Sequence, residues 1–222
     1  MKYEWKIADL FDLSHTVAGD FLRKCLYPWE VLEHIGAWIL AVGGDLSAEF
    51  YDHPAEGIWI AKNARVAPTA SITGPCIIGE NAEVRHCAFI RGKALIGCGA
   101  VVGNSTELKN VILFDEVQVP HFNYVGDSIL GYKAHLGAGA VTSNVKSDKS
   151  PVVIRCGEQK IETGRKKVGA FIGDRAEVGC GSVLNPGCVL GQGSTVYPLS
   201  SVRGVIAPGV IYKSRNEIVP RR

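Results

Sequence analysis

An aliphatic residue recurs at every sixth position over one long stretch: Ile60, Val66, Ile72, Ile78, Val84, Ile90, Ile96, Val102 and Leu108. A small residue follows four places later: Ala64, Ala70, Cys76, Ala82, Ala88, Ala94, Ala100 and Thr106. Helices repeat at 3.6 residues and strands at 2, so a period of six fits neither. A fixed hexapeptide repeat is the signature of a parallel β-helix. The beat loses one residue after Leu108, giving Leu113, Val119 and Val125. It loses another after Val125, giving Leu130 and Leu136, and returns at Ile172, Val178, Leu184, Leu190, Val196 and Val202. The expected fold is mainly β, a parallel β-helix over 58–207 with an insertion at 146–167.

Residues 1–57 stand outside the beat. Pro28 to Val42 reads as one helix, apolar at Trp29, Leu32, Ile35, Ile39 and Val42, with Gly43-Gly44 as its stop. A shorter helix is expected within Val17 to Leu26. The end rung of a β-helix exposes core and unpaired backbone, so these helices are predicted to cap it. In the insertion, Val152 to Ile154 and Lys160 to Glu162 flank Gly157, which predicts a protruding hairpin. Residues 208–222 read as a basic tail, with Lys213, Arg215, Arg221 and Arg222 against Glu217.

The totals exclude more than they assign. A formal charge of +2 creates no global field for nucleic acid or membrane. The 26 glycines suit tight solenoid corners. Seven cysteines are an odd number and have no zinc-knuckle spacing. Cys76 and Cys188 fall at small inward positions, as plain apolar filler. This usage points to a reducing compartment, the cytoplasm. The opening MKYEWKIADLFD has no apolar core of a secretory signal. The longest apolar run, around Ile35 to Gly44, is too short to span a bilayer.

If three faces close one rung, residues eighteen apart stack in columns about 4.8 Å apart. Arg91 then lies over Lys109. Two such cations repel by roughly 1 kcal/mol even in water, and a bound phosphate would relieve that. A second column holds His86, Asn104, His121 and Ala138. His121 points outward and adjoins the corner of Tyr124, which leads to the Lys109 face. His86 and His121 are roughly 10 Å apart by strand spacing, too far to share a zinc with ligand bonds of about 2 Å. No metal is expected.

The stretch Val102 to Asn144, VGNSTELKNVILFDEVQVPHFNYVGDSILGYKAHLGAGAVTSN, resembles a known family. It is similar to the acetyltransferase domain of the bifunctional UDP-N-acetylglucosamine pyrophosphorylase/glucosamine-1-phosphate N-acetyltransferase. That domain is a left-handed hexapeptide-repeat β-helix that works as a trimer. The insertion ending GRKKVGAFIGD looks like the archaeal branch, and YPWEVLEHIGAWIL resembles its linker helix. No nucleotidylyltransferase glycine-rich loop occurs in the chain.

The resemblance implies His121, in His-Phe-Asn-Tyr, as the catalytic base. An imidazole titrates near neutral pH and can take a proton from an attacking amine. It implies Arg91, Lys109 and Lys167 (Lys166 as the alternative) as phosphate ligands and Tyr124 as the residue that orients the sugar. His135 replaces a family asparagine at the sugar. For acetyl-CoA, the implied co-substrate, it implies Ala138 within Gly137-Ala138-Gly139, together with Asn144. Cys180, Lys213 and Arg215 are further candidates for coenzyme contact. The expected activity is N-acetylation of an amino-sugar phosphate such as glucosamine 1-phosphate. Alternatives are O- or N-acetylation of another sugar or sugar nucleotide, or a non-catalytic scaffold.

Overall fold

The computed structural model describes residues 5–221; Arg222 of the basic tail and the first four residues of the opening lie outside them. The parallel β-helix is present, with three faces per rung. The first face stacks Ile58–Ala61, Cys76–Ile78, Ala94–Ile96, Ala170–Ile172, Cys188–Leu190 and Val205–Ile206. The second stacks Arg65–Val66, Glu83–Val84, Val101–Asn104, Gln118–His121, His135–Leu136, Glu177–Val178 and Thr195–Val196. The third stacks Ser71–Ile72, Phe89–Ile90, Val141–Thr142, Val183–Leu184 and Ser201–Val202. Two longer strands, Glu107–Leu113 and Tyr124–Leu130, run from the third face through the corner into the first. Beat residues and their small partners point inward: Ile78, Ile90, Ile96, Val102, Leu108, Ala82, Ala94 and Cys76 are all fully or almost fully buried.

Both slips of the beat fall at that one corner. In an ordinary rung the turn from third face to first uses Gly92 (φ 83°) and Lys93 (φ 52°). In the two short rungs a single left-handed residue makes the turn, Asn110 (φ 55°) or Asp127 (φ 49°). Polar Asn and Asp are the non-glycine residues that tolerate this conformation best. The deletions therefore stack Asn110 against Asp127, with Nδ2 2.9 Å from Oδ1.

The N-terminal segment departs from expectation in place and in shape. It comprises α1 (Ile7–Leu10), α2 (Gly19–Leu22), α3 (Pro28–Val31) and α4 (Ile35–Gly44). The expected single helix breaks at Leu32-Glu33-His34, and Gly43-Gly44 form its last residues instead of following its end. The helices do not cap the end rung. They lie lengthwise along the first face as a strap. The outward residues of that face are Trp59, Ile77, Leu95, Ile112, Ile129 and Phe171, in register from rung to rung and all buried. Phe11 meets Phe114 at 5.2 Å between ring centres, and Trp29 meets Phe171 at 5.9 Å. Burying this column contributes on the order of 10 kcal/mol before ordering costs. It is the physical reason the strap runs sideways. Asp174 stitches it down, accepting from the backbone N–H of Asp12 (2.6 Å) and of Tyr132 (2.8 Å).

Antiparallel hairpins protect the sheet edges instead. Tyr51–Ala55 pairs with Ile58–Ala61 at the start. At the far end the supposed tail is a hairpin, Val210–Ser214 with Glu217–Pro220, added to the second face. The insertion forms the expected hairpin, Val153–Cys156 with Gln159–Glu162. Its base does not stand clear of the solenoid, because Val152 and Ile154 are fully buried. Among the described residues no helix is long and apolar enough to cross a membrane.

Candidate active site

The corner between the third and first faces opens into a cleft of about 650 Å³. Arg91, Lys93, Lys109, Arg165, Lys166 and Lys167 line it, with Glu33 and Asp127 as the carboxylates. Arg91 and Lys109 do share a column, since Leu108 pairs with Ile90. Their mutual repulsion is not left open, however. Arg91 pairs with Glu107, Nη1 to Oε1 2.6 Å, and Lys109 pairs with Asp127 at 3.2 Å. Their stacking therefore does not call for a bound anion, because each cation has its own carboxylate. The case for an anion rests on three other lysines. Lys93, Lys166 and Lys167 make no ion pair among the described residues, yet they line the same cleft. An isolated bridge of Val145 with Lys167 returns the insertion to this corner and carries the lysines there.

Asp127 is the hub of the corner, a role that the sequence alone does not assign to it. It is 4% exposed. It accepts from Lys109, from Asn110 and from Asn144, whose Nδ2 lies 2.6 Å from Oδ2. The same Asn144 amide donates to the Tyr124 hydroxyl at 3.2 Å. Burial, then the nearby Asp127 and Glu107 charges, raises the Tyr124 phenol above its ordinary pKa and keeps it protonated. Tyr124 lies across Gly126, where an added Cβ would come within 2.5 Å of its hydroxyl oxygen. Asn110 also lines the cleft, and its buried Oδ1 has no partner among the described residues. It is an acceptor awaiting a donor.

His121 sits at the opposite edge of the third face and does not line this cleft. It is exposed, and its ring makes no hydrogen bond among the described residues. The column above it is as expected: the Gly139 N–H donates to the His121 carbonyl and the Gly181 N–H to the Ala138 carbonyl. Cys180 stands next, its Sγ 2.9 Å from where a Gly137 Cβ would be. Buried Asn123 fixes the loop, accepting from the His121 N–H (3.1 Å) and donating to the carbonyls of Gly137 and Ala140, both at 2.9 Å. It clamps the histidine loop onto Gly137-Ala138-Gly139.

Three sequence-derived residues lie elsewhere. His135, at the other edge of the second face, pairs with Glu177 at 2.8 Å in a separate depression with Glu116, Gln118 and Lys133. Lys213 pairs with Glu217 at 2.6 Å, and Arg215 stands in the turn of the terminal hairpin. Asn144, implied at the coenzyme, belongs to the Asp127 network in this structure. Among the described residues no group of His, Cys, Asp and Glu could hold a metal ion.

A family model described as the GMPPB C-terminal domain matches residues 72–209, more than half of the chain. The chain belongs to the GMPPB C-terminal domain family. YaiX of Escherichia coli O6:K15:H31, named as an uncharacterized acetyltransferase, is 33% identical over 168 residues, covering 76% of this chain and 73% of its own. The bifunctional sugar-1-phosphate nucleotidylyltransferase/acetyltransferase of Sulfurisphaera tokodaii is 31% identical over 112 residues, covering 50% of this chain and 28% of its own. The bifunctional protein GlmU of Methanococcus maripaludis strain C5 is 37% identical over 95 residues, covering 43% and 23%. The chain thus spans only about a quarter of the length of these bifunctional relatives. The polySia-specific acetyltransferase NeuO aligns with a TM-score of 0.46 and 12% identity over 75% of this chain and 88% of its own. The GMPPB C-terminal segment of the chain contains Arg91, Lys109, His121, Asp127 and Lys167. Leu32 and Glu33, which wall the cleft, lie ahead of it.

Proposed function

We propose that the chain transfers an acetyl group from acetyl-CoA to the amine of an amino sugar that carries phosphate, glucosamine 1-phosphate being the simplest such acceptor. One observation carries this reading. A cation-lined cleft is joined by the chain Lys109–Asp127–Asn144–Tyr124 to the third face, whose other edge bears the unengaged His121 ring. In this reading Lys167, with Lys93 and Lys166, supplies the uncompensated charge that holds the phosphate, the paired Arg91 and Lys109 flank it, and Asn110 Oδ1 accepts from a sugar hydroxyl. The unprotonated amine attacks the thioester carbonyl carbon. The C–N bond forms and the C–S bond breaks. The amine's proton passes to His121, and the coenzyme A thiolate takes one up. A backbone N–H beside Ala138 stabilises the oxyanion.

The assembly in this reading is a homotrimer, the histidine of one face meeting substrate in the groove beside a neighbouring copy. Light scattering at the mass of one chain would remove that part. The seven free cysteines suit a reducing, cytoplasmic setting. Thiol release from acetyl-CoA with glucosamine 1-phosphate tests the chemistry. His121→Ala should slow it at least about 100-fold with an unchanged circular dichroism spectrum. Undiminished release from that variant, or none from the wild type with any amino-sugar phosphate, rules the reading out.

A further inference from the structure

Two carboxylates line the cleft, and they are not equivalent. Asp127 is buried and already accepts from Lys109, Asn110 and Asn144. Glu33 is accessible, its side chain 56% exposed. It belongs to the strap, at the break between α3 and α4. Arg165 of the insertion fixes it, with Nη2 2.6 Å from Oε1, and the His34 Nε2 lies 3.3 Å from the same oxygen. Three residues on, Gly36 of α4 seats the strap against another residue of the cleft: a Cβ built there would lie 3.1 Å from the Lys93 Cγ. An ionised carboxylate offers about four acceptor positions, so a pair through Oε1 leaves Glu33 able to accept more. A carboxylate repels a phosphate, and anion binding alone gives no use for one here. Asn110 adds a second acceptor in the same cleft, its Oδ1 buried and without a donor among the described residues. Two such acceptors call for a ligand that brings hydrogen-bond donors as well as negative charge.

We infer that Glu33 is a specificity-determining residue, which accepts a hydrogen bond from a hydroxyl of the acceptor and so separates a sugar phosphate from a bare phosphate. The sugar rests on the reading above. A hydroxyl suits Glu33 better than the amine does, because a carboxylate beside an amine raises its pKa and holds it as the unreactive ammonium. The test is a ratio of affinities, in which effects common to all ligands cancel. Titration calorimetry on the full chain compares glucosamine 1-phosphate, glucose 1-phosphate and inorganic phosphate. In Glu33→Ala the preference for either sugar phosphate over inorganic phosphate should fall about tenfold, the loss of one hydrogen bond to a charged group. Glu33→Gln keeps an acceptor oxygen of similar shape and should lose only about threefold. An equal change for all three ligands in Glu33→Ala would mark a merely structural or electrostatic role and overturns the inference. So does a wild type that binds the sugar phosphates no better than inorganic phosphate, or binds none of the three. A fall confined to glucosamine 1-phosphate overturns the hydroxyl assignment, since glucose 1-phosphate has the hydroxyls and no amine. An unchanged preference with thiol release intact removes this inference alone. A shifted preference without thiol release supports it and removes only the acetyl transfer.

Discussion

Lys109 and Asp127 meet one rung apart at a corner of the solenoid, Nζ 3.2 Å from Oδ1, with the carboxylate 5% and the lysine 27% exposed. Asymmetric burial means asymmetric consequences. Asp127→Ala strips the partner from Lys109, Asn110 and Asn144 together, and should cost about 2–4 kcal/mol in urea unfolding. Lys109→Met leaves the aspartate with two amide donors and should cost about 1–2 kcal/mol. The reverse order would mean the hub is misassigned.

Asn123 is predicted to matter to stability and to rate. Asn123→Ala deletes two donated bonds and one accepted bond within a buried loop, and should lower stability by about 1–3 kcal/mol. Because it also frees the His121 loop, kcat for acetyl transfer should fall while KM for the acceptor moves little. A change confined to KM would place His121 positioning elsewhere.

The hold of the strap should weaken as pH rises through the raised pKa of Asp174. Burial raises the Asp174 carboxyl above the ordinary 3.8. The folded state then binds more protons than the unfolded state between 3.8 and the raised value, so this group's contribution falls as pH climbs through that window. Asp174→Asn should flatten that slope in unfolding curves followed by tryptophan fluorescence. An unchanged slope would assign the pH dependence to another acid, such as Asp115, also raised by burial.

Cysteine reactivity offers a map that is independent of activity. Burial pushes Cys76 and Cys188 up to about 12, so both should resist alkylation at pH 8 in the folded chain. Exposed Cys87 and Cys180 should react. If the column above His121 takes coenzyme A, saturating coenzyme should protect Cys180 and not Cys87. Equal protection of both, or of neither, would move the coenzyme away from that column.

The beat made the solenoid legible because a narrow triangular core tolerates little but aliphatic and small residues at fixed intervals. It also placed Arg91 over Lys109 and Ala138 next to His121, since columns follow from rung length alone. Cover was harder to read. The outward column Trp59, Ile77, Leu95, Ile112 and Ile129 advertises a covered face at spacings of 18 or 17, but it is visible only when outward positions are read for hydrophobicity as closely as inward ones. The break between α3 and α4 follows from docking on that column, which intrinsic propensity does not contain. The role of Asp127 was hidden because it depends on which corner each one-residue slip occupies. Glu107 and Arg91 meet diagonally between neighbouring columns, a relation that the eighteen-residue spacing does not contain.

The position of Glu33 and Gly36 has a practical consequence for anyone choosing where to cut this chain. The matched family segment begins at residue 72. A fragment started there would keep His121, the Lys109–Asp127 pair and most of the lysines. It would lose the support under Lys93, the anchor of Arg165 and the cover over Ile77 and Leu95. Such a fragment would bare an oily flank and present a ligand with a site missing one wall, so domain boundaries drawn from family likeness divide what folding has joined.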